Sequence, residues 1–422
     1  MIEAILERFP FDAELARAAR SAVARTDAGA HAPVQAAVRA NVLRAFVDEG
    51  IAESDLAPSY GYGYDDPARA RYESLLARIF GTERAFARLS LVSGTQAIVT
   101  AVDACLPPNG RLVSASGRPY DTLRNALVEA EHSVVRRGAS YSEIALTPAG
   151  AIDDAGLALA CEAGVDVVFV QRSRGYAARA ALSARACGEI AQLVHRAAPA
   201  AFVLVDNCYG ELVEATEPTH HGADAVIGSL IKNLGGGLAP GGAYVAGRRD
   251  VVERVAARHH APGLGAAVGP TLGYGRALVQ GLFYAPLIVG ECLAGLDLAA
   301  ALFAELGELI DPQPGPGRRD IVQAIRLGSP ERLLAFARGL QRAMPLNARF
   351  APEPGAVPGY SDPVIMSGGA FVPGATIELS CDAPLRAPYE VYLQGGTSRE
   401  HVLVAALFAA DALRKESNFA SP

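Results

Sequence analysis

The chain has 422 residues, room for two or three domains at roughly 100–200 residues each. Half of its residues are hydrophobic, a fifth are charged and the net charge is −7 with arginines scattered rather than massed, which fits a well-cored protein and argues against nucleic-acid binding. The longest apolar segments are broken by Glu291, Asp297 or Asp411, so none reads as a membrane span.

In chain order, residues 1–55 read as Ala-rich helix, broken near residues 27–31. The segment Glu3, Glu7, Asp12 lacks the basic start of a signal peptide, so a cytoplasmic setting is expected. In Pro58-Ser59-Tyr60-Gly61-Tyr62-Gly63-Tyr64-Asp65-Asp66-Pro67 glycines alternate with tyrosines, which predicts an ordered loop presenting aromatics. A helix over 68–80 stops at Gly81. Segment 86–92 is apolar and ends in Ser93-Gly94-Thr95, which opens a helix over 96–105. A strand over 111–115 leads into Gly117-Arg118-Pro119-Tyr120-Asp121 and a helix to about residue 131. Residues 132–136 read as a short strand and Asp153 as a helix start. Strands over 165–171, 202–205, 225–229 and 243–246 alternate with a helix over 181–196. This alternation predicts a parallel sheet with both faces covered, and ligands of such sheets bind beyond the carboxyl ends of the strands. Ser93-Gly94-Thr95, Gln171-Arg172, Asp206 and Lys232 all fall at those ends. Beyond the Gly-rich stretch 262–281, a helix over 287–309 leads to a second domain. There a strand over 320–327, a helix over 330–344, strands at Phe371 and 375–380, and a helix over 401–414 are expected.

The chemistry centres on Gly228-Ser229-Leu230-Ile231-Lys232-Asn233-Leu234-Gly235-Gly236-Gly237. The chain carries 38 Lys plus Arg, yet only two are lysines, Lys232 and Lys415. Lys415 sits in a polar tail. Lys232 follows an apolar strand, and a desolvated lysine forms an imine and loses its proton where an arginine does neither. Pyridoxal 5'-phosphate needs such an amine, and its pyridine nitrogen needs a carboxylate. Asp206, closing the strand Phe202-Val203-Leu204-Val205, has the chemistry and the position. The phosphate needs helix N-terminal N–H groups and hydroxyls, which Ser93, Gly94, Thr95 and Ser229 offer. A Ser-Gly-Thr before a helix is by itself an ordinary N-cap; its weight comes from the company of the other parts. Tyr120 is the choice to stack on the ring, Tyr209 to reach the ring hydroxyl, and Gln171 closes the neighbouring strand. No metal is expected, since His220-His221 and His259-His260 are adjacent pairs. The six cysteines, with no CxxC pair, read as buried thiols. Ser229-Leu230-Ile231-Lys232 is also a Ser-x-x-Lys, but the Lys-Thr-Gly element of such hydrolases is absent.

The motifs Gly61-Tyr62-Gly63-Tyr64-Asp65-Asp66, Ser93-Gly94-Thr95-Gln96-Ala97-Ile98, Pro119-Tyr120-Asp121-Thr122-Leu123, Gln171-Arg172-Ser173-Arg174-Gly175-Tyr176, Val205-Asp206-Asn207-Cys208-Tyr209-Gly210-Glu211 and Gly228-Ser229-Leu230-Ile231-Lys232-Asn233 closely resemble the methionine gamma-lyase-like family, also known as aluminium resistance proteins. So do Ile377-Glu378-Leu379-Ser380 and Tyr392-Leu393-Gln394-Gly395-Gly396. The resemblance spans about residues 35–410. It implies an α/β, fold-type I pyridoxal-phosphate enzyme, with a mostly parallel central sheet and a smaller C-terminal α/β domain. The expected organisation is an N-terminal helical arm and interface loop (1–65), a cofactor domain (66–285) and a small domain (286–422).

By the same resemblance Lys232 is the aldimine lysine, Asp206 the pyridinium partner, Tyr120 the stacking and catalytic tyrosine, and Gly94, Thr95 and Ser229 hold the phosphate. Tyr62 or Tyr64 would reach the phosphate of a neighbouring subunit in a homodimer or homotetramer. Arg386, then Arg172, would bind the carboxylate of an amino-acid substrate. The expected reaction is a carbon–sulfur γ-elimination. Loss of a halide or other γ-substituent, β-elimination, transamination and a non-catalytic cofactor-binding role stand as alternatives. Leu234 and Pro240-Gly241-Gly242-Ala243 depart from the family pattern beside the presumed substrate pocket, as does Gly396-Thr397-Ser398-Arg399-Glu400-His401.

Overall fold

Seven strands of the chain form one sheet in a computed structural model that describes residues 1–419. They are β1 (Arg84–Arg88), β2 (Arg111–Ser114), β3 (Ser140–Glu143), β4 (Val167–Gln171), β5 (Phe202–Asp206), β6 (Ala225–Ser229) and β7 (Ala243–Gly247). Their order is β1-β7-β6-β5-β4-β2-β3. All pairs from β6 to β3 are parallel, and β7 runs antiparallel to both β6 and β1. The reversal has a covalent reason. Parallel neighbours need a long crossover, usually a helix, whereas the link from β6 to β7 carries only a short 3-10 turn, Asn233–Gly235. The sheet is therefore mixed.

Strand residues of β4, β6 and β7 are buried along their whole length, as a sheet covered on both faces requires. On one face Leu112, Phe169, Leu204, Ile227, Val245 and Phe86 join a core with Ala97, Ile98, Ala101 and Val102 of the helix Gly94–Cys105, and with Val251, Val252 and Val255 of Arg249–His259. Each fully buried Val, Leu or Phe contributes about 1.5–3 kcal/mol. The packing seats the N-terminus of Gly94–Cys105 at the carboxyl end of the sheet.

By its contacts the chain forms two compact units, Ala36–Pro286 and Met1–Gln35 together with the chain from Leu287 on. The segment read as an arm to residue 65 is thus divided, its first 35 residues belonging with the C-terminal part. That second unit holds a six-stranded antiparallel sheet in the order β10-β11-β12-β13-β9-β8. Its strands are β8 (Leu309–Asp311), β9 (Val322–Arg326), β10 (Pro354–Gly355), β11 (Val364–Gly368), β12 (Ser380–Pro384) and β13 (Glu390–Gln394). The helices Pro330–Gln341 and Arg399–Phe419 pack on each other.

Several local expectations are corrected. Residues 132–136 form turns, and the strand lies at Ser140–Glu143. Val134 is buried in the core from a turn, while β3, an edge strand, needs few apolar residues. The helix expected at 287 begins at Gly275 and ends at Glu305, with Pro286 inside it; a proline loses one backbone bond but packing holds the helix through it. This helix is long and apolar enough to cross a membrane, yet 67% of its apolar window is buried inside the protein, as in a core helix. Residues 376–378 make a 3-10 turn rather than a strand. There the Glu378 carboxylate accepts the N–H groups of Phe371 and Val372, and Leu379 adopts φ +108°.

Candidate active site

At the carboxyl end of the sheet, register brings the candidate residues together. Gln171 at the end of β4 faces Asp206 at the end of β5, which faces Ile227 of β6; Ser229 closes β6. Ser93 caps the helix Gly94–Cys105, its Oγ accepting from the Gln96 N–H at 3.1 Å. The helix start lies directly against β6: a Cβ on Gly94 would meet the Cys208 Sγ at 3.3 Å and the Ser229 backbone N at 3.5 Å. The first-turn N–H groups, which lack intrahelical partners, thus lie close to Ser229, and the glycine leaves the Cys208 thiol its room.

Tyr120 is tied to this cluster at both ends. Its hydroxyl is 2.8 Å from the Thr95 Oγ1, and its backbone N–H donates to the Gln171 Oε1 at 3.0 Å. Gln171 in turn donates from Nε2 to the Ser173 carbonyl, so its amide positions Tyr120. Burial pushes the Tyr120 phenol well above its ordinary pKa, and the Asp206 charge adds to the shift. Asp206 is buried at the strand end, its Oδ1 accepting the Cys208 N–H at 3.1 Å. Burial raises its carboxyl above the ordinary value, opposed by the Lys232 ammonium.

The Lys232 Nζ sits 3.9 Å from the centroid of the Tyr209 ring. Burial works against its charge, as the sequence leads one to expect, but Cys208, Tyr209, Asp206 and Tyr120 gathered around it outweigh burial and hold its pKa well above the ordinary lysine value. In the cofactor-free chain the balance of these effects thus favours the ammonium form.

Four further candidates have surroundings of their own. Arg172 is fully buried, and its guanidinium donates to Asn207 at 2.6 Å, Glu217 at 2.9 Å and Glu214 at 2.8 Å. Two carboxylates of its own chain thus already occupy the fork of this second choice for the substrate carboxylate. Tyr62 and Tyr64 are exposed, at 77% and 58%, with ring centroids 6.0 Å apart. Their loop is pinned through its backbone, since Arg69 donates to the Gly63 carbonyl at 2.7 Å and the Gly269 N–H to the Tyr62 carbonyl at 2.9 Å. The loop thus presents its aromatics outward. Arg386 belongs to the other compact unit, where it pairs with Asp362 at 3.7 Å.

Asn233 and Glu211 close two of the family-like motifs, but the sequence assigned neither a role. Asn233 Nδ2 donates to the Tyr209 and Glu211 carbonyls at 3.1 and 2.8 Å. Glu211 is fully buried, with Oε1 accepting from the Tyr244 hydroxyl at 3.1 Å and Oε2 without a partner. Burial pushes its carboxyl up to about 8. Their place in those motifs, and for Asn233 its adjacency to Lys232, was the available signal. Among the described residues no group of three or more His, Cys, Asp or Glu is arranged to hold a metal ion.

Residues 13–414 match the sequence model of the family described as methionine gamma-lyase. The chain is 38% identical over 396 residues to the uncharacterized protein YnbB of Bacillus subtilis (strain 168), covering 92% of this chain and 94% of that one. The crystal structure of a Clostridium acetobutylicum protein, provisionally named a cystathionine beta-lyase involved in aluminum resistance, is 35% identical with a TM-score of 0.93, covering 97% of this chain and 98% of that one. A carbon-sulfur lyase involved in aluminum resistance from Clostridium novyi NT is 34% identical with a TM-score of 0.91, again over 97% and 98%.

Proposed function

The chain belongs to the methionine gamma-lyase family, and on that premise we propose that it is a fold-type I, pyridoxal 5'-phosphate-dependent carbon–sulfur lyase that cleaves an amino acid at Cγ. The observation that carries the reading is the convergence of one lysine, one buried carboxylate and a hydroxyl-lined helix N-terminus at the carboxyl end of the sheet. The donor set fits the cofactor. Gly94, Thr95 and Ser229 would hold its phosphate, Asp206 would face its ring nitrogen, Tyr120 would lie on the ring, and Lys232 would hold its carbonyl carbon. Gly94 opens the helix against Ser229 with its backbone N–H uncovered by a side chain, which suits a phosphate cradle. When bound, the cofactor supplies an electrophilic carbonyl and a ring that takes up electron density from the substrate's Cα.

The chain's own residues do the rest. Lys232 gives up its proton to act as a nucleophile, then moves a proton at the substrate's Cα and Cβ. The buried Asp206 would hold a proton on the ring nitrogen. Tyr120, neutral because its phenol pKa is raised, is positioned by Thr95 and Gln171 to donate a proton to the departing sulfur. Arg386 is the guanidinium proposed for the substrate carboxylate. The exposed Tyr62 and Tyr64 support a homo-oligomer in which one subunit's loop reaches its neighbour's site.

β-Elimination is the second reading, favoured by the name of the Clostridium acetobutylicum relative. The keto acid separates the two: Cγ–S cleavage of a four-carbon amino acid leaves a four-carbon keto acid, and Cβ–S cleavage leaves pyruvate. Purified protein with added pyridoxal phosphate should develop a visible absorption band and release thiol and keto acid from a panel of sulfur amino acids. Lys232→Ala should do neither. A wild-type protein with no band would overturn the proposal.

A further inference from the structure

The turn that follows Asp206 is gripped from two sides. On one side the Arg172 guanidinium bonds Asn207 and, through Glu217, the Leu212 N–H, which donates to Glu217 Oε1 at 2.8 Å. It passes so close to Gly210 that a Cβ there would fall 2.7 Å from the Arg172 Cδ and Nε. On the other side lies Asn233, fully buried. Both atoms facing its Nδ2 are carbonyl oxygens, those of Tyr209 and Glu211, so only the NH2 end of the amide can face them. Its Oδ1 is buried without a partner, a cost that makes sense where the two donors are what the position requires.

Between these grips the backbone is strained. Tyr209 has φ +71° and Leu212 φ +62°, a region that bulky residues rarely occupy and that costs of order 1–3 kcal/mol. Such a conformation persists only where its surroundings over-determine it. In this conformation the Tyr209 ring lies under the Lys232 Nζ, 3.9 Å from its centroid.

We infer that Asn233 is a positioning residue that holds the Tyr209 ring beneath the Lys232 amine. Asn233 directly follows Lys232 in the chain, so one turn both aims the amine and fastens the platform on which it rests. The platform gives the ammonium a defined place when it is not engaged with cofactor, worth about two- to fivefold in its reactivity at an exposed-to-intermediate cation–π energy. The meaning of this for turnover rests on the reading of Lys232 above, whereas the grip itself stands on the cofactor-free chain.

The two-lysine composition provides the test. Amine-directed labelling of the full chain, freed of cofactor and quantified by peptide mass spectrometry, reads Lys232 against Lys415 as an internal standard. Asn233→Ala and Tyr209→Leu should each raise the Lys232/Lys415 labelling ratio about two- to fivefold, Tyr209→Phe should leave it unchanged, and the double variant should go no further than either single one. Asn233→Leu keeps roughly the volume, removes both donors and adds no charge beside the amine, so it should behave like Asn233→Ala and serves if the alanine variant does not fold. A wild-type ratio in either folded Asn233 variant, or additive effects in the double variant, would overturn the inference. The cofactor titration is read on the same samples: no visible band in the wild type with the labelling pattern as expected would refute the proposed function and leave this grip standing.

Discussion

Replacing Glu211 with Gln tests whether its carboxyl is stored in the neutral form behind the lysine. Glu211 is fully buried, accepts one hydrogen bond from Tyr244, and leaves Oε2 without a partner. Burial pushes its pKa up to about 8 from an ordinary 4.5; Glu217 adds to the rise, while Lys232 and the Tyr244 hydroxyl oppose it. Between those two values the folded state binds the proton and the unfolded state does not, so stability falls as pH rises through this window and levels off above the folded value. Integrating one proton over pH 6 to 9 gives a loss of about 2–3 kcal/mol from this group. Gln is nearly isosteric with the protonated acid and does not titrate. The stability difference between wild type and Glu211→Gln, measured by urea unfolding followed by circular dichroism at pH 6, 7, 8 and 9, should therefore shift by about that amount in favour of the variant. Every group common to both proteins cancels in the difference. A difference that is constant across the range would refute the neutral buried acid and the desolvation argument with it.

Two other substitutions follow from the packing. Gly228→Ala would place a Cβ 2.5 Å from Glu211 Oε1 and 2.8 Å from the Tyr244 ring, which is itself stacked on Phe80; with no room to yield, the overpacking should cost about 1–3 kcal/mol in a urea midpoint measurement. Asp297, buried in the second unit, takes Arg318 Nε at 2.6 Å and lies 2.7 Å from His31 Nε2. Burial opposes its charge, but the bonds from His31 and Arg318 outweigh it and hold the carboxyl below the usual range. Its contribution is present above the ordinary carboxylate pKa and is lost as pH falls through the folded value. Asp297→Asn should thus destabilise by about 3–5 kcal/mol at neutral pH, because the buried Arg318 loses its counter-charge, and the gap to wild type should narrow on acidification.

Much of the site was legible because its signals are local. A lysine in a chain nearly devoid of them, an aspartate closing a buried strand and a Ser-Gly-Thr before an amphipathic helix are each readable within a few residues. The alternation of short β-rich runs with helices was enough to put those strand ends on one side of a sheet. The reversed β7 was not legible, since an apolar run carries no direction and the lack of a helix between β6 and β7 reads as a mere loop.

Side-chain partnership is where sequence and structure part. Residue identity and order determined that one amine, one carboxylate and one capped helix start would meet beyond the strands, because strand register and the helix–sheet core leave them no other place. Only the tertiary structure decided what each group does there. Arg172 reads as a substrate fork in the sequence, whereas in the fold its guanidinium is paired with Glu214 and Glu217 from a later segment of the chain. Lys232 could be read as a desolvated neutral amine until the acidic groups around it were in view. The reason is the same in both cases: charge state is set by what lies within a few ångströms in space, and that neighbourhood is assembled from segments far apart in the chain.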